Sequence, residues 1–213
     1  MVAGRPFRIA VLASGGGTNL QAILDKLHGR EGIEVVGVGS NKPDVQALER
    51  ADSAGVKTAV FERDAYPDRE ARDAAIGDWL EGLRVDLVVL AGYMELLSAA
   101  LVGRFANRIV NVHPALLPSF PGLEAVQQAL DAGVKLTGVT VHFVDEGVDS
   151  GPIILQRPVE VPEDREWESL ETRIHAVEHE LLPRAIRLIA AGRVSLDPEN
   201  PRLVRIAPGE AAE

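Results

Sequence analysis

Asn111 and His113 stand two residues apart in the run Arg108-Ile109-Val110-Asn111-Val112-His113-Pro114, an amide donor beside a titratable imidazole. Ile109, Val110 and Val112 are β-branched, which favours a buried strand, and Pro114 cannot donate to a ladder, so the strand ends at His113. Side chains alternate along a strand, so both polar groups leave the same face at its last pleat. In open α/β sheets ligands sit at strand ends, and this pair there suits chemistry on a carbonyl. The plainer alternative is a polar strand end bonded to the next loop. Asp149, in an acidic loop far down the chain, is the third candidate. A carboxylate near the imidazole favours its charged form and raises its pKa from about 6.5. An amine attacking a formamide-like carbon builds charge on oxygen and nitrogen, so it needs an oxyanion donor and a proton acceptor. No covalent intermediate is required, which fits a chain without cysteine.

The elements that must position these groups begin with a mostly apolar run at residues 7–13, read as a first strand. It ends in Ser14-Gly15-Gly16-Gly17-Thr18-Asn19, followed by apolar residues at helical spacing. A glycine turn entering a helix points backbone N–H groups outward at a positive dipole end, a ready anion site to which Thr18 and Asn19 can add side-chain donors. A purely structural turn is the alternative. A dinucleotide fold calls for an acidic residue after the second strand, but residues 33–39 run into Ser40-Asn41-Lys42-Pro43. That argues for a phosphate ligand other than NAD.

Asp44 is the expected N-cap of a helix to about residue 54, and residues 56–61 read as a third strand. A helix over 67–82 carries Arg69 and Arg72, both expected on the solvated surface. Residues 86–91 form a fourth strand running into Gly92-Tyr93-Met94-Glu95-Leu96-Leu97, Ser98 opens a helix, and 109–113 is the fifth strand. The order predicts a Rossmann-like open α/β fold, a mostly parallel sheet covered by helices on both faces. After a helix to about residue 132, residues 137–144 and 153–161 are extended, with Val139, Val141 and Phe143 on one face. They are expected as late antiparallel edge strands. A long helix over 163–190 should kink at Pro183. The expected division is a single domain over 1–195 and a partly disordered tail over 196–213.

The chain has 213 residues, 46% hydrophobic and 25% charged, as in ordinary globular proteins. A net charge of -10 disfavours extended binding to nucleic acid. No early apolar stretch is long enough for a span or leader, so no membrane association and a cytoplasmic location are expected.

The motifs quoted above, with Asn111-Val112-His113-Pro114-Ala115-Leu116-Leu117-Pro118, Pro121-Gly122, residues 137–144 and Asp149-Ser150-Gly151-Pro152-Ile153, occur in one order and spacing. Over residues 9 to about 193 the chain resembles the phosphoribosylglycinamide formyltransferases, of the folate-dependent formyltransferase family. The resemblance implies formyl transfer from 10-formyltetrahydrofolate, a co-substrate, to glycinamide ribonucleotide, with no metal, in a monomer or homodimer. By the same resemblance, Asn111, His113 and Asp149 match the catalytic trio. Gly16, Gly17, Thr18 and Asn19 would hold the ribose phosphate, and Glu178 the substrate amine. Arg69, Met94, Glu95, Leu96, Leu97 and Asn111 would line the folate pocket, and Val144, Asp145, Glu146 and Gly147 would wrap the pterin. Glu95, Ser119 and Glu124 depart from the pattern, standing where many relatives carry arginine, lysine and histidine.

Within that family the tRNA formyltransferase would add a nucleic-acid-binding domain, which neither length nor charge favours. The deformylase would place a regulatory domain before a first strand that here is expected near residue 7, and would use water as acceptor. Aminosugar formyltransferases share the trio. From another class, His175-Ala176-Val177-Glu178-His179 matches the H-x-x-E-H pattern of a zinc peptidase group, with a helix face as the plain reading. A phosphate-binding protein without turnover is the third option. His142 and His28 are given no role, the first as a structural imidazole within a strand, the second at a helix end where its charge suits the dipole.

Overall fold

Val, Ile and Leu crowd the strands because both faces of this sheet are covered. In chain order the elements are β1 (Phe7–Leu12), α1 (Thr18–Leu27), β2 (Ile33–Ser40), α2 (Gln46–Ser53), β3 (Thr58–Val60), α3 (Arg69–Gly82) and β4 (Leu87–Leu90). Next come α4 (Ala99–Arg104), β5 (Ile109–His113), α5 (Ala125–Asp131), β6 (Leu136–Phe143), β7 (Ile153–Glu160), α6 (Trp167–Ala190), β8 (Val194–Leu196) and β9 (Val204–Ile206). The structure, a computed structural model, describes residues 4–208.

The seven-stranded sheet has the order β3-β2-β1-β4-β5-β6-β7. Its first five strands are parallel, and β6 and β7 join antiparallel at one edge. The Rossmann-like reading therefore holds, with the late strands where they were expected. Alternation sorts the core into two layers. Ile9, Val11, Val89 and Val110 pack with α1, α2 and α6, through Leu20, Ile23, Ala47, Ile174 and Leu182. Ala10, Leu12, Val88 and Ile109 pack with α3 and α4, through Ile76, Leu80 and Leu101. Because β1 connects to β2 on one side and pairs with β4 on the other, chain direction across the sheet reverses between β1 and β4. A crevice opens at such a switch point, outside the carboxyl ends of the strands.

Local expectations fail where tertiary contacts supply what a side chain was expected to give. Asp44 is not the N-cap of α2: that position is Val45, without a side-chain cap. The Ala47 N–H instead donates to Gly15 O at 3.1 Å, so the turn after β1 caps this helix. Helix α6 starts later than residue 163, because the Asp164 carboxylate accepts from Glu166 N–H at 3.0 Å and Ser169 Oγ at 2.9 Å and builds a turn first. Arg72 is not on the surface but 1% exposed, in a contact network taken up below. Residues in the expected tail pair as the ribbon of β8 and β9, whose turn is organised by Asp197 accepting from Glu199 and Asn200 N–H. Residues 209–213, where fraying was expected, lie outside the described residues.

Pro183 sits inside α6 without ending it. Proline has no N–H for the carbonyl four residues earlier, which here is His179 O. Lys26 Nζ, from α1, donates to that oxygen at 3.0 Å. The orphaned acceptor thus becomes a tie between two helices. Among the described residues no helix is long and apolar enough to cross a membrane.

Lys26→Met should lower the unfolding free energy by about 1 kcal/mol in urea titrations, through the unmet carbonyl. The loss should be smaller in a Pro183→Ala background, where the helix supplies its own donor. Equal losses in both backgrounds would rule the tie out.

Candidate active site

Both walls of the crevice at the switch point come from strand ends. After β1 the turn at residues 14–17 bends through Gly17, at φ +68°, into α1. A Cβ on Gly17 would lie 2.8 Å from Ala47 Cα, so α2 packs against this turn as only glycine allows. Helix α1 has no side-chain N-cap and no acidic residue in its first turn, which leaves its leading N–H groups free of side-chain acceptors, as an anion site requires. Gly15, Gly16 and Thr18 are exposed. Asn19 turns the other way: it is buried, and its Nδ2 donates to Glu178 Oε2 on α6 at 2.8 Å. Its side chain is therefore a bridge to Glu178, not an added phosphate donor.

Glu178 is 4% exposed, and burial pushes its carboxyl pKa up against the opposing hydrogen bond from Asn19. His175 Nε2 lies 3.9 Å from Glu178 Oε2. The His175 and His179 rings stack at 5.9 Å with planes 10° apart, side by side on the helix face. Among the described residues no group of three His, Cys, Asp or Glu side chains could hold a metal ion, so the zinc pattern has no third ligand.

After β4, residues 92–98 form the second wall, tied to the first by Ser14 N–H donating to Gly92 O and Met94 N–H donating to Ser14 Oγ. Met94 and Leu96 are each 59% exposed. Leu97 instead packs toward α3 and α4, as does Val144. Glu95 is held from below by Arg72 and Asn41. Arg69 lies exposed at the start of α3, its guanidinium 3.3 Å from Glu70. The structure does not bring it to the trio.

The trio does come together. Asn111 and His113 leave β5 on the face of Ile109, as alternation predicts. Asp149 reaches them from the loop between β6 and β7, at φ +49°, a conformation that is uncommon outside glycine. That loop is clamped at both ends. A Cβ on Gly151 would meet Phe143 O at 1.8 Å, so backbone packs on backbone there. Asp145 accepts from Gly147 N–H at 3.0 Å and Ser150 Oγ at 2.7 Å, which spends its carboxylate on the loop and leaves Glu146 and Gly147 exposed.

Asp149 Oδ2 accepts from Gly122 N–H at 2.7 Å and lies 3.3 Å from His113 Nδ1. Its Oδ1 accepts from Asn111 Nδ2 at 3.3 Å. Burial acts to raise the Asp149 pKa, but contacts with His142, Gly122 N–H and His113 outweigh it and hold the carboxyl below its usual range. For His113 the balance falls against expectation: burial lowers its pKa more than Asp149 and the Phe120 carbonyl raise it, so the resting ring is neutral near pH 7. Its Nε2 lies 2.8 Å from Phe120 O, an acceptor, which places the single proton there. Nδ1 then faces Asp149 with an open lone pair. A proton arriving at Nδ1 finds an acceptor already in place, as a group that takes and returns protons requires.

His142 was missed. β6 runs antiparallel to β5 and sets His142 directly opposite Asn111. Its Nδ1 donates to Phe143 O at 2.8 Å, leaving Nε2 as acceptor for Asn111 Nδ2 at 3.3 Å. That contact fixes which end of the Asn111 amide points at Asp149. The signal was present in the alternation: Val139, Val141 and Phe143 share one face, so His142 occupies the other, and only the strand pairing was lacking. His28 Nδ1 accepts from Val35 N–H at 3.1 Å, a strand contact in place of the expected dipole charge.

An uncapped helix start and a half-buried amide–imidazole–carboxylate cluster thus meet at the strand ends of a doubly covered α/β sheet. Residues 7–186 match the family model described as formyl transferase, and the chain belongs to that family. The Haemophilus influenzae phosphoribosylglycinamide formyltransferase is 44% identical over 190 residues, 89% of this chain and 90% of that one. The trifunctional purine biosynthetic protein adenosine-3 of Drosophila melanogaster is 46% identical over 202 residues, 93% of this chain, which spans only 15% of its length. The glycinamide ribonucleotide transformylase 1 structure from Symbiobacterium toebii superposes with a TM-score of 0.92 at 52% identity, covering 96% of each chain.

His113 should titrate by NMR below the ordinary histidine value of 6.5. Asp149 favours the charged ring, so Asp149→Asn should lower the midpoint further, by about one pH unit. A rise on that substitution would show that the carboxylate does not act on the imidazole.

Proposed function

We propose that this chain is an enzyme of purine biosynthesis that transfers the formyl group of 10-formyltetrahydrofolate to the amine of glycinamide ribonucleotide. The observation that carries the reading is an uncapped helix start after β1 and the Asn111–His113–Asp149 cluster at the end of β5, with only β4 between them, in a chain whose relatives of similar length bear that name. The ribose phosphate meets the N–H groups of residues 16–19. Glu178, buried and held by Asn19, receives the substrate amine.

The formyl donor fits the apolar rim, where Met94, Leu96, Leu123 and Val148 are 59%, 59%, 70% and 49% exposed around polar groups. A flat, largely apolar ring covering such side chains recovers burial they otherwise lack. The backbone of residues 144–147 offers donors and acceptors to an amide-like edge. Glu95 does not touch the donor with its carboxylate in this reading, because Arg72 and Asn41 occupy it.

In the reaction the acceptor amine forms a C–N bond to the formyl carbon while the C–N bond to the folate breaks. One Asn111 Nδ2–H, released from its 3.3 Å contact with His142 or Asp149, donates to the oxygen as it gains charge. The proton lost from the attacking nitrogen passes to Nδ1 of neutral His113, directly or through water, and Asp149 stabilises the imidazolium so formed. The same proton is then available to the departing folate nitrogen. A cytoplasmic location completes the reading.

Asn111→Ala is expected to lower kcat by about 10²–10³ with little change in either KM. His113→Ala should lose more, while still binding the phosphorylated acceptor in a calorimetric titration. Incubation with both substrates, following product mass and free formate, decides the reaction: formyl on the amine supports it, and formate alone replaces it with hydrolysis.

A further inference from the structure

Arg72, in α3, is among the largest fully buried side chains of the protein. A guanidinium taken from water is destabilising unless its donors are met, and every one of its contacts here is anionic. Nε and Nη2 lie 3.3 and 3.2 Å from Asp73 Oδ1, and Nη1 lies 3.1 Å from Glu95 Oε2. Both carboxylates pass the contact on. Asp73 Oδ2 accepts from Ser98 N–H at 2.5 Å, at the N-cap of α4, and Glu95 Oε1 accepts from Asn41 Nδ2 at 3.2 Å, just beyond β2.

This chain of contacts runs directly beneath residues 93–98. Burial pushes the Tyr93 hydroxyl up to about 12, and that hydroxyl has no hydrogen-bond partner among the described residues. The segment is thus pinned at Met94 by Ser14, at Glu95 by Arg72 and Asn41, and at Ser98 by Asp73. Glu95 is drawn inward, so its neighbours Met94 and Leu96 face out. Arg72 also neutralises the one carboxylate on this wall, and Glu95 is held below the ordinary carboxylate range by Arg72 and Asn41 despite its burial.

We propose that Arg72 is a positioning residue for the formyl donor: by pairing with Glu95 it turns Met94 and Leu96 into the pocket wall and removes a negative charge that would face an anionic folate. The role rests on the donor-site reading above. Arg72 touches neither substrate, and the anion turn and the trio hang on other contacts. Its loss should therefore appear in donor binding alone.

The experiment is steady-state kinetics on Arg72→Met and on Arg72→Met/Glu95→Met, with equilibrium binding of tetrahydrofolate to each. Arg72→Met should raise the donor KM about tenfold or more, with kcat and the acceptor KM within about threefold of the unaltered chain. The double variant, lacking the stranded carboxylate, should return the donor KM most of the way. A residue that only stabilised the fold would give no such split and no such rescue. Should Arg72→Met not fold, Arg72→Lys keeps the charge but cannot bridge two carboxylates, and a donor KM raised about threefold or more is expected. Unchanged donor KM and tetrahydrofolate affinity in the single variant, in a chain that binds tetrahydrofolate unaltered, would overturn the role of Arg72. No tetrahydrofolate binding by the unaltered chain would instead overturn the donor-site reading.

Discussion

A buried carboxylate has to be surrounded by donors, or it takes up a proton or drags water into the fold. Asp149, half-buried, meets that demand with two N–H donors, Gly122 and Asn111, and packs against two imidazoles, groups drawn from three separate places in the chain. The Gly122 N–H comes from the loop after β5, the Asn111 amide and His113 ring from β5 itself, and the His142 ring from β6. None of the four adjoins Asp149 in sequence. The site is therefore a condition on tertiary structure: the β6–β7 hairpin must close on β5 in one register. A one-residue slip would put Val141 or Phe143 where His142 stands and turn the imidazole to the opposite layer. The left-handed backbone of Asp149 is the local strain this closure imposes, in a loop that only glycine can close at position 151, and strain of that kind persists only where the surroundings over-determine it.

The two carboxylates of the crevice have opposite environments. Asp149 lies among imidazoles and an N–H group, which keep it ionised against its burial, while Glu178 has the Asn19 amide and little else, and burial favours its protonated form. Environments that push two carboxyl groups apart give them different work. In the proposed reaction, Asp149 carries standing charge beside the group that shuttles a proton, and Glu178, whose charge burial opposes, gains a partner for that charge when the substrate amine arrives. Both are positioned by the sheet order. Because β1 and β4 are neighbours although far apart in the chain, the turn before α1 and the segment after β4 face each other across the same opening.

Most of this was legible in the sequence where one segment determines its own structure. Alternation placed Asn111 and His113 on a common face, glycine spacing placed the turn before α1, and strand–helix alternation gave the layered sheet. What was not legible depended on partners. Asp44 looked like a cap, but a carbonyl from another turn did that work. Arg72 looked like solvated surface, because nothing in the text of α3 says that Glu95 and Ser98 will lie above it. His142 was set aside since its role exists only once β6 pairs with β5. The sign of the His113 shift was missed for a related reason. The carboxylate could be inferred from composition, but the depth of burial that outweighs it is a property of the assembled layers.

Charge poses the remaining problem, since a chain of net charge -10 is proposed to hold two anionic substrates. Its long-range field opposes both, but at physiological ionic strength that field fades over about 8 Å, so what counts is the first few ångströms of the crevice. There three of the negative groups are already spent. Glu95 is paired with Arg72, Asp145 is consumed by its own loop, and Asp149 accepts from Gly122 N–H and the Asn111 amide. In the proposed complex the acceptor's phosphate meets backbone N–H groups instead of a charged side chain, and these lose nothing when the surface elsewhere is acidic. Such a site gains little from electrostatic steering and depends on close contact once the ligand has entered. That ties affinity to how firmly the two walls are held, and so to the ion pairs beneath them and not to the charge on the surface.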